Sequence, residues 1–333
     1  QPTGSLAPKI TPRPGNTLRL TLDMNLQRAA ERALAYGVDV AHTTGQWAAN
    51  GGAAVALDPR DGSVLALASY PTYKPSIFVS REASSLAPLA NAAAAERANY
   101  PGLDRGLDVS YPPGSVWKPV TALAAIQEHI IGPYTSLPCA PQIKFAGQTF
   151  HNWDPTVNEW MDMPTALAQS CDTYFYQVGY DFYALPPSRG HALQLWASRF
   201  GFGQGSGIDV GPETEGLVPT PEWRCAHFGG PPCSGYVDRI WKPGYSVQLA
   251  IGQGDLAFGL GGMLQLGQGI DRVDQRHHAR RAADRAVDVA VARIRAIARR
   301  LKERVEGHAA AGCAECGRVN TAQALADALG RVV

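Results

Sequence analysis

Ser115 and Lys118, a serine and a lysine three residues apart, are the first pair in the sequence that points to chemistry. Residues 112–114 are Pro-Pro-Gly, which favours a turn, and apolar residues follow at helical spacing. The pattern predicts a turn that delivers Ser115 to the start of a helix, with Pro119 tolerated in the first helical turn. On such a helix both side chains share one face. A lysine whose pKa is lowered by burial can then take the proton of the serine hydroxyl and make it a nucleophile.

The same pair also has a plain structural interpretation. A serine at a helix start followed by a surface lysine one turn later is common, so an isolated S-x-x-K is a weak signal. The surrounding letters Y-P-P-G-S-x-x-K-P, over residues 111–119, are far more specific.

Ser170 and Asp172 form a second candidate pair, because they lie between two predicted helices at residues 163–169 and 173–183. Side chains at such a junction can point into a cleft. In the structural interpretation, Ser170 is a loop serine after the first helix and Asp172 caps the second. The capping role and a functional role are compatible.

The other elements follow from periodicity and turn residues. Residues 24–42 have the apolar spacing of a helix, and residues 52–58 and 63–69 are apolar runs joined by turn residues, which predicts a β-hairpin. Residues 72–110 are rich in Ala, Ser and Asn and are expected to form helices and loops over the site. The remaining expectations are isolated strand pieces such as residues 143–150 within a loop-rich stretch at 132–163, a helix at 193–200, a loop over 203–235, and a segment at 246–251 that leads into a Gly-Gln-Gly turn.

Composition sets the broad class of the protein. The 333 residues are 45% hydrophobic, enough for one large globular domain or two ordinary ones. The net charge of +1 argues against a nucleic-acid partner. The sequence shows no long uninterrupted apolar run, so no transmembrane helix is expected, and the Pro- and Gly-rich residues 1–16 are typical of a linker.

The six cysteines do not by themselves define a disulfide framework in a chain of this length. Cys225 and Cys233 flank a Pro/Gly-rich loop, where they either form a disulfide or remain two free thiols. Cys171 is interpreted as a small buried thiol.

Residues 263–333 are an Ala/Arg-rich tail of different composition, and from residue 271 onward they contain no proline and no aromatic residue. Apolar residues recur there at three- and four-residue steps, which predicts an amphipathic helix whose role is unknown. Cys313 and Cys316 form a C-x-x-C motif without a second pair, which is a weak indication of zinc.

The Ser115 segment resembles the active-site serine motif of penicillin-binding proteins, the serine D,D-transpeptidases that cross-link peptidoglycan. The resemblance extends over about residues 17–258 and includes Ser170-Cys171-Asp172 as the second motif. In detail it is similar to the class B, elongation type called penicillin-binding protein 2. The resemblance implies an α/β (α+β) transpeptidase fold over residues 17–262, with a sheet flanked by helices and a mainly helical subdomain, incomplete at its C-terminal end. Other stretches that carry it are residues 18–27, 51–71, 219–223 and 251–255.

The resemblance implies roles for individual residues. Ser115 would attack the D-Ala-D-Ala carbonyl, Lys118 would act as general base, and Ser170 would pass the proton to the leaving group. Asp172, Gly114 and Trp117 would contact substrate. Asp172 stands where the family commonly has Asn, which we interpret as a mark of the penicillin-binding protein 2 type. No metal and no organic cofactor is implied.

The third motif of the family, Lys-Thr/Ser-Gly on a strand that lines the cleft, occurs nowhere in the sequence. Lys242-Pro243-Gly244 is a poor substitute, because it precedes the Gly-Gln-Gly turn and because proline removes a strand hydrogen-bond donor. Only the first strand pair of the expected central sheet is visible.

The resemblance also implies partners and a location. The substrates would be peptidoglycan stem peptides ending in D-Ala-D-Ala, with β-lactams as covalent inhibitors and a membrane glycosyltransferase of the elongation machinery as partner. The site of action would be the extracytoplasmic face of the bacterial cell membrane. Two alternatives stay open: a truncated, inactive relative, and a serine β-lactamase or β-lactam sensor. The second is disfavoured because no E-x-x-L-N segment follows Ser170.

Overall fold

A computed structural model describes residues 15–79, 86–208, 211, 213–234 and 236–259 of the chain. The described part mixes helices and strands, as the predicted α/β fold class requires. Its strands are β1 (Gly52–Leu57), β2 (Val64–Tyr70), β3 (Leu137–Cys139), β4 (Gln142–Phe145), β5 (Gln148–His151) and β6 (Glu159–Met161). Its α-helices are α1 (Met24–Thr43), α2 (Ala87–Ala90), α3 (Ala92–Arg97), α4 (Lys118–Gln127), α5 (Met163–Ala168), α6 (Asp172–Ala184), α7 (Ala192–Arg199), α8 (Pro221–His227) and α9 (Pro243–Ala250).

Strands β1 and β2 form the predicted antiparallel hairpin, in which Ala54 lies opposite Ala68. Helix α1 covers the hairpin, and its start is fixed by Asp23, whose carboxylate accepts hydrogen bonds from the first backbone N–H groups of the helix. The Gln27 side chain donates to the carbonyl of Leu67 and accepts from the N–H of the same residue. A side-chain amide thus takes the place of a neighbouring strand at this point of the β2 edge.

The strands of residues 137–161 form two further antiparallel pairs, β3 with β6 and β4 with β5. Asn152 follows β5 directly and is 6% exposed. This small β region lies beside helix α6, with Thr173 of α6 hydrogen-bonded to both backbone groups of Ala140. The β region therefore forms the support for one end of α6.

The hydrophobic core is built mainly by helices α4, α6, α7 and α9, whose inner faces interlock. Helix α4 is tied to the end of α9 because the Thr121 hydroxyl donates to the carbonyl of Ala250 at 2.8 Å. Aromatic and aliphatic side chains that are fully buried fill the space between these helices, among them Val120, Tyr174, Phe175, Val178, Val247 and Leu249.

Most predicted elements are confirmed, and two local predictions need correction. The helix expected at Ser115 begins at Lys118 instead, after a 3₁₀ turn over Gly114–Trp117. Residues 203–235, expected to be loop, contain helix α8, and the segment before the Gly-Gln-Gly turn is the full helix α9. Both helices have a proline in the first turn, which is typical of a helix start. The neighbouring glycines and prolines favour loop, and for this reason the sequence pattern did not indicate the helices.

Within the described ranges, none of the helices combines the length and apolar character needed to cross a membrane. The tail at residues 263–333, with its predicted amphipathic helix and its C-x-x-C motif, lies outside the described residues, as does most of the linker at 1–16.

Candidate active site

Ser115 lies on the 3₁₀ turn that precedes α4, and it is exposed. Gly114 before it has φ +59°, a left-handed conformation that glycine adopts without steric cost. Trp117, by contrast, is only 1% exposed and packs against the rings of Phe202 and Phe258, with centroid distances of 4.8 Å and 5.3 Å. The Trp117 side chain therefore anchors the turn in the core, and the substrate contact of Trp117 stays a prediction.

The Gly-Gln-Gly turn after α9 supports the serine turn from behind. The Gly114 N–H donates to the carbonyl of Gly252 at 2.8 Å, and a Cβ atom on Gly252 would come within 2.1 Å of the Gly114 carbonyl oxygen. Gly252 also has φ +79°. The contact therefore requires glycine at position 252, both for space and for backbone conformation.

Lys118 is 1% exposed and directs its ammonium into the second motif. Its Nζ donates to the Ser170 carbonyl at 2.6 Å, to Ser170 Oγ at 3.0 Å and to Asp172 Oδ1 at 2.6 Å. The ring of Phe175 lies on another side, with its centroid 5.7 Å from Nζ. Burial lowers the pKa of the Lys118 ammonium, and the Asp172 carboxylate offsets part of this decrease.

Ser170 occupies the joint between helices α5 and α6. Its N–H bonds to the Leu167 carbonyl, and the N–H of Cys171 bonds to the Ala166 carbonyl, the two hydrogen bonds of a Schellman helix end. Ser170 has φ +54°, in the left-handed region where this motif usually has glycine. The backbone is therefore strained at Ser170, the residue whose hydroxyl accepts a hydrogen bond from Lys118.

Cys171, and not Asp172, is the N-cap residue of α6, so the prediction that Asp172 caps this helix is wrong. The Cys171 sulfur accepts the N–H of Tyr174, whereas Asp172 is the first helical residue and keeps its carboxylate for Lys118. Cys171 is also not a free thiol, because it forms a disulfide with Cys139. Thirty-two residues separate the two cysteines, so no local pattern links them. The second disulfide joins Cys225 and Cys233, one of the two alternatives that the sequence left open.

Asn152 is a site residue that the sequence did not reveal. Its Oδ1 accepts the backbone N–H of Asp172 at 2.9 Å, and its Nδ2 donates to the Asp154 carbonyl at 2.9 Å. A buried amide that bonds to the first helical residue fixes where Asp172 stands relative to Lys118. A single asparagine in a loop-rich stretch carries no sequence signal for this role.

Lys242, the poor candidate for a third motif, lies directly before the first turn of helix α9 and not on a strand. It therefore does not line the cleft in the manner expected of that motif. In the part of the chain that the structure describes, no group of three or more His, Cys, Asp or Glu side chains is placed to hold a metal ion.

The arrangement brings the predicted residues Lys118, Ser170 and Asp172 into direct contact. Ser115 and Gly114 lie on the 3₁₀ turn that directly precedes Lys118 in the chain. An amine with a lowered pKa, adjacent to a hydroxyl that can relay a proton, is suited to general acid–base work. An exposed serine on the same turn is suited to attack a carbonyl carbon. The geometry as a whole fits acyl transfer through a serine ester.

Residues 52–265 match the family model described as the penicillin binding protein transpeptidase domain. The peptidoglycan D,D-transpeptidase MrdA of Acinetobacter baumannii is 32% identical over 253 residues, which are 73% of this chain and 32% of that protein. The chain thus spans about a third of the length of the curated relatives it matches.

Solved structures show the same fold. PBP2 of Pseudomonas aeruginosa in complex with WCK 5153 superimposes with a TM-score of 0.59 at 29% identity, over 74% of this chain and 50% of that one. A second structure comes from a study of the coordination of polymerization and crosslinking by a peptidoglycan synthase complex. It gives a TM-score of 0.62 at 32% identity, over 75% of this chain and 41% of that one.

Proposed function

The chain belongs to the penicillin-binding protein transpeptidase family, and from this membership we propose that it is a peptidoglycan D,D-transpeptidase of the penicillin-binding protein 2 type. The observation that carries the proposal is the contact set of Lys118, which joins the serine turn to the second motif. A buried lysine that is hydrogen-bonded to two residues far away in the sequence is an arrangement suited to proton transfer. Such a buried ion pair stabilises a fold little more than apolar residues of similar size would, so stability alone does not explain it.

In the proposed acylation step, Ser115 Oγ attacks the carbonyl carbon of the penultimate D-alanine of a stem peptide. Lys118 in its neutral form accepts the serine proton, since a neutral amine keeps two donors for its partners and offers one lone pair. The Oγ–C bond forms first and gives a tetrahedral intermediate, and the C–N bond to the terminal D-alanine breaks when this intermediate collapses to the acyl-enzyme.

Ser170 serves the leaving group in the same step. Its hydroxyl is 3.0 Å from Lys118 Nζ, so a proton taken up by the lysine can pass through Ser170 to the departing nitrogen. The acyl-enzyme is then attacked by an amine of a neighbouring stem peptide, which closes the cross-link and frees Ser115. Asp172 holds the lysine, and the Gly114 turn gives the substrate backbone room to approach.

The oxyanion of the tetrahedral intermediate requires backbone N–H donors. We assign one of them to Ser115, whose position on a 3₁₀ turn before a helix places its N–H at the positive end of α4. In the family the second donor comes from the Lys-Thr/Ser-Gly strand, which this sequence lacks.

Partners and location are part of the proposal. PBP2 of Helicobacter pylori has been solved in complex with MreC, and another relative belongs to a study of a peptidoglycan synthase complex. We propose that this protein works beside a membrane glycosyltransferase of the elongation machinery, at the extracytoplasmic face of the membrane. Two disulfides in the described residues support that location, since disulfides persist in oxidising compartments.

The experiment is covalent labelling of the purified, folded chain with a fluorescent penicillin, beside a Ser115→Ala variant. β-Lactams resemble the D-Ala-D-Ala dipeptide, so we expect a stable adduct on the peptide that contains Ser115, blocked by prior addition of unlabelled penicillin and lost in the variant. Labelling that persists in Ser115→Ala would contradict the proposal.

The labelling also tests the two alternatives. An adduct that forms and then hydrolyses within the time course would indicate a β-lactamase. A folded, monodisperse chain without any adduct would indicate an inactive relative, the candidate that the missing third motif favours.

A further inference from the structure

We propose that the Cys139–Cys171 disulfide and Asn152 form a positioning bracket that holds Ser170 and Asp172 against Lys118, so that acylation of Ser115 depends on the redox state of this cysteine pair. The inference rests on the proposed function, because it concerns the rate of that acylation. The two cysteines are each 1% exposed, and Asn152 is 6% exposed.

The bracket acts on the segment that supplies all three hydrogen-bond acceptors of Lys118. These are the carbonyl and hydroxyl of Ser170 and the carboxylate of Asp172, the two residues on either side of Cys171. A shift of this segment therefore changes the whole environment of the ammonium at once.

The segment is also a point of conformational strain. Ser170 holds a left-handed backbone with φ +54°, which a non-glycine residue keeps only when its surroundings enforce it. The disulfide enforces it from one side, because it joins the residue directly after Ser170 to the end of strand β3. Strand β3 is itself held by pairing with β6, where Cys139 lies opposite Glu159.

Asn152 provides the second connection and Thr173 the third. Asn152 accepts the N–H of Asp172, and Thr173 exchanges hydrogen bonds with both backbone groups of Ala140, the residue after Cys139. The three connections join one short β region to three consecutive residues, 171–173. Removing the covalent connection leaves three hydrogen bonds, one at Asn152 and two at Thr173, to resist relaxation of Ser170.

The redox step is a thiol–disulfide exchange with a dithiol such as dithiothreitol. The dithiol supplies two electrons and two protons, so that Cys139 and Cys171 become thiols while the dithiol becomes a disulfide. The Cys225–Cys233 bond offers an internal comparison: Cys233 is exposed, so this bond is open to the reductant first.

The first measurement is the rate constant of penicillin acylation for Cys139→Ala/Cys171→Ala, with Cys225→Ala/Cys233→Ala as the matched control. Both variants lose one disulfide, but only the first loses the bracket. We expect acylation to fall by about tenfold to a hundredfold in the bracket variant, because small displacements of acid–base groups have effects of that size. The control should keep the rate of the unchanged protein.

The second measurement needs no catalysis. The chain has six lysines, so ¹³Cε-lysine labelling gives few NMR signals, and Lys118→Ala identifies the one of interest. In the bracket variant we expect the pKa of Lys118 to rise toward the ordinary lysine value, because the opened segment admits water. The control variant should leave the titration of Lys118 unchanged. A general loss of stability after removal of a disulfide would affect both variants, so a change in the bracket variant alone indicates the bracket.

Asn152→Ala keeps the disulfide and provides an independent variant if Cys139→Ala/Cys171→Ala does not fold. A fall in acylation and a rise in the Lys118 pKa in that variant support the bracket. The proposal of a bracket is overturned if the folded bracket variant matches the control in acylation rate and in Lys118 titration. If the bracket variant does not fold, the same result for a folded Asn152→Ala overturns the proposal. If the unchanged protein does not acylate at all, the proposed function fails, and the Lys118 titration alone decides on the bracket.

Discussion

At the scale of single residues, the proposed mechanism depends on the charge of Lys118. Burial lowers the pKa of this ammonium, and Asp172 counteracts the change through its charge and a 2.6 Å hydrogen bond. The two effects set the pH at which Lys118 becomes neutral and can accept a proton. In the proposed mechanism, Asp172 thereby shifts the pH at which acylation sets in.

Asp172→Asn should move the rising part of the acylation–pH profile to lower pH. The lysine must lose its proton to act as base, so the rate rises as pH passes through its pKa. Removing the carboxylate takes away the influence that raises this pKa, while burial continues to lower it. The measurement is penicillin acylation over a pH series for both proteins; a rising part that stays in place, or moves to higher pH, would refute this role of Asp172.

Ser170 combines strain with function, and two substitutions separate them. Ser170→Ala and Ser170→Gly both remove the hydroxyl that bonds to Lys118, and both should lose most acylation. Only glycine relieves the left-handed backbone, so we expect the glycine variant to be more stable than the alanine variant by about 1 kcal/mol. Urea unfolding gives the comparison, and equal stability would show that the backbone at Ser170 is not strained.

At the scale of elements, the site depends on how the end of helix α9 supports the serine turn. The α9 end reaches α4 through Thr121 and Ala250, and it reaches the serine turn through Gly252 and Gly114. This support holds the nucleophile in place although Ser115 itself is exposed.

Gly252→Ala should displace the serine turn and abolish labelling of Ser115. The added Cβ would lie 2.1 Å from the Gly114 carbonyl oxygen, a distance that only a backbone shift can relieve. Gly254→Ala, in the same turn, is the matched control: Gly254 also has a left-handed backbone, with φ +78°, but its added Cβ would meet only the Gln248 side chain, at 3.4 Å. We expect the control to cost about 1–2 kcal/mol of stability and to keep measurable labelling. Equal labelling of both variants would contradict the supporting role of Gly252.

At the scale of the whole molecule, the described residues include the proposed nucleophile, base and proton relay, but the sequence lacks the third motif of the family. That motif normally contributes an oxyanion donor and a cation for the substrate carboxylate. Its absence affects the stabilisation of the transition state more than the activation of Ser115.

The chain should acylate more slowly than a relative that carries the Lys-Thr/Ser-Gly motif. One missing oxyanion donor costs on the order of a hundredfold to a thousandfold in rate. The measurement is the acylation rate constant of this chain beside the transpeptidase domain of Escherichia coli MrdA, with the same fluorescent penicillin. Equal rates would show that another segment of this chain supplies the second donor.

The sequence by itself determined the local features. The helix at α1, the β1–β2 hairpin, the helices on either side of Ser170, and the Ser115–Lys118 pair all follow from patterns within a few residues. Periodicity and turn residues indicate such features, because residues that are close in the sequence are also close in space within one helix, hairpin or turn.

The tertiary structure decided how these pieces work together. Lys118 meets its partners 52 and 54 residues further along the chain, Asn152 reaches Asp172 across 20 residues, and Cys139 pairs with Cys171 across 32. No periodic pattern specifies such contacts, since each depends on how helix α4 or the small β region packs against the start of helix α6. The burial that lowers the pKa of Lys118 arises from the same packing, and so this lowered pKa is a property of the folded domain and not of the S-x-x-K motif alone.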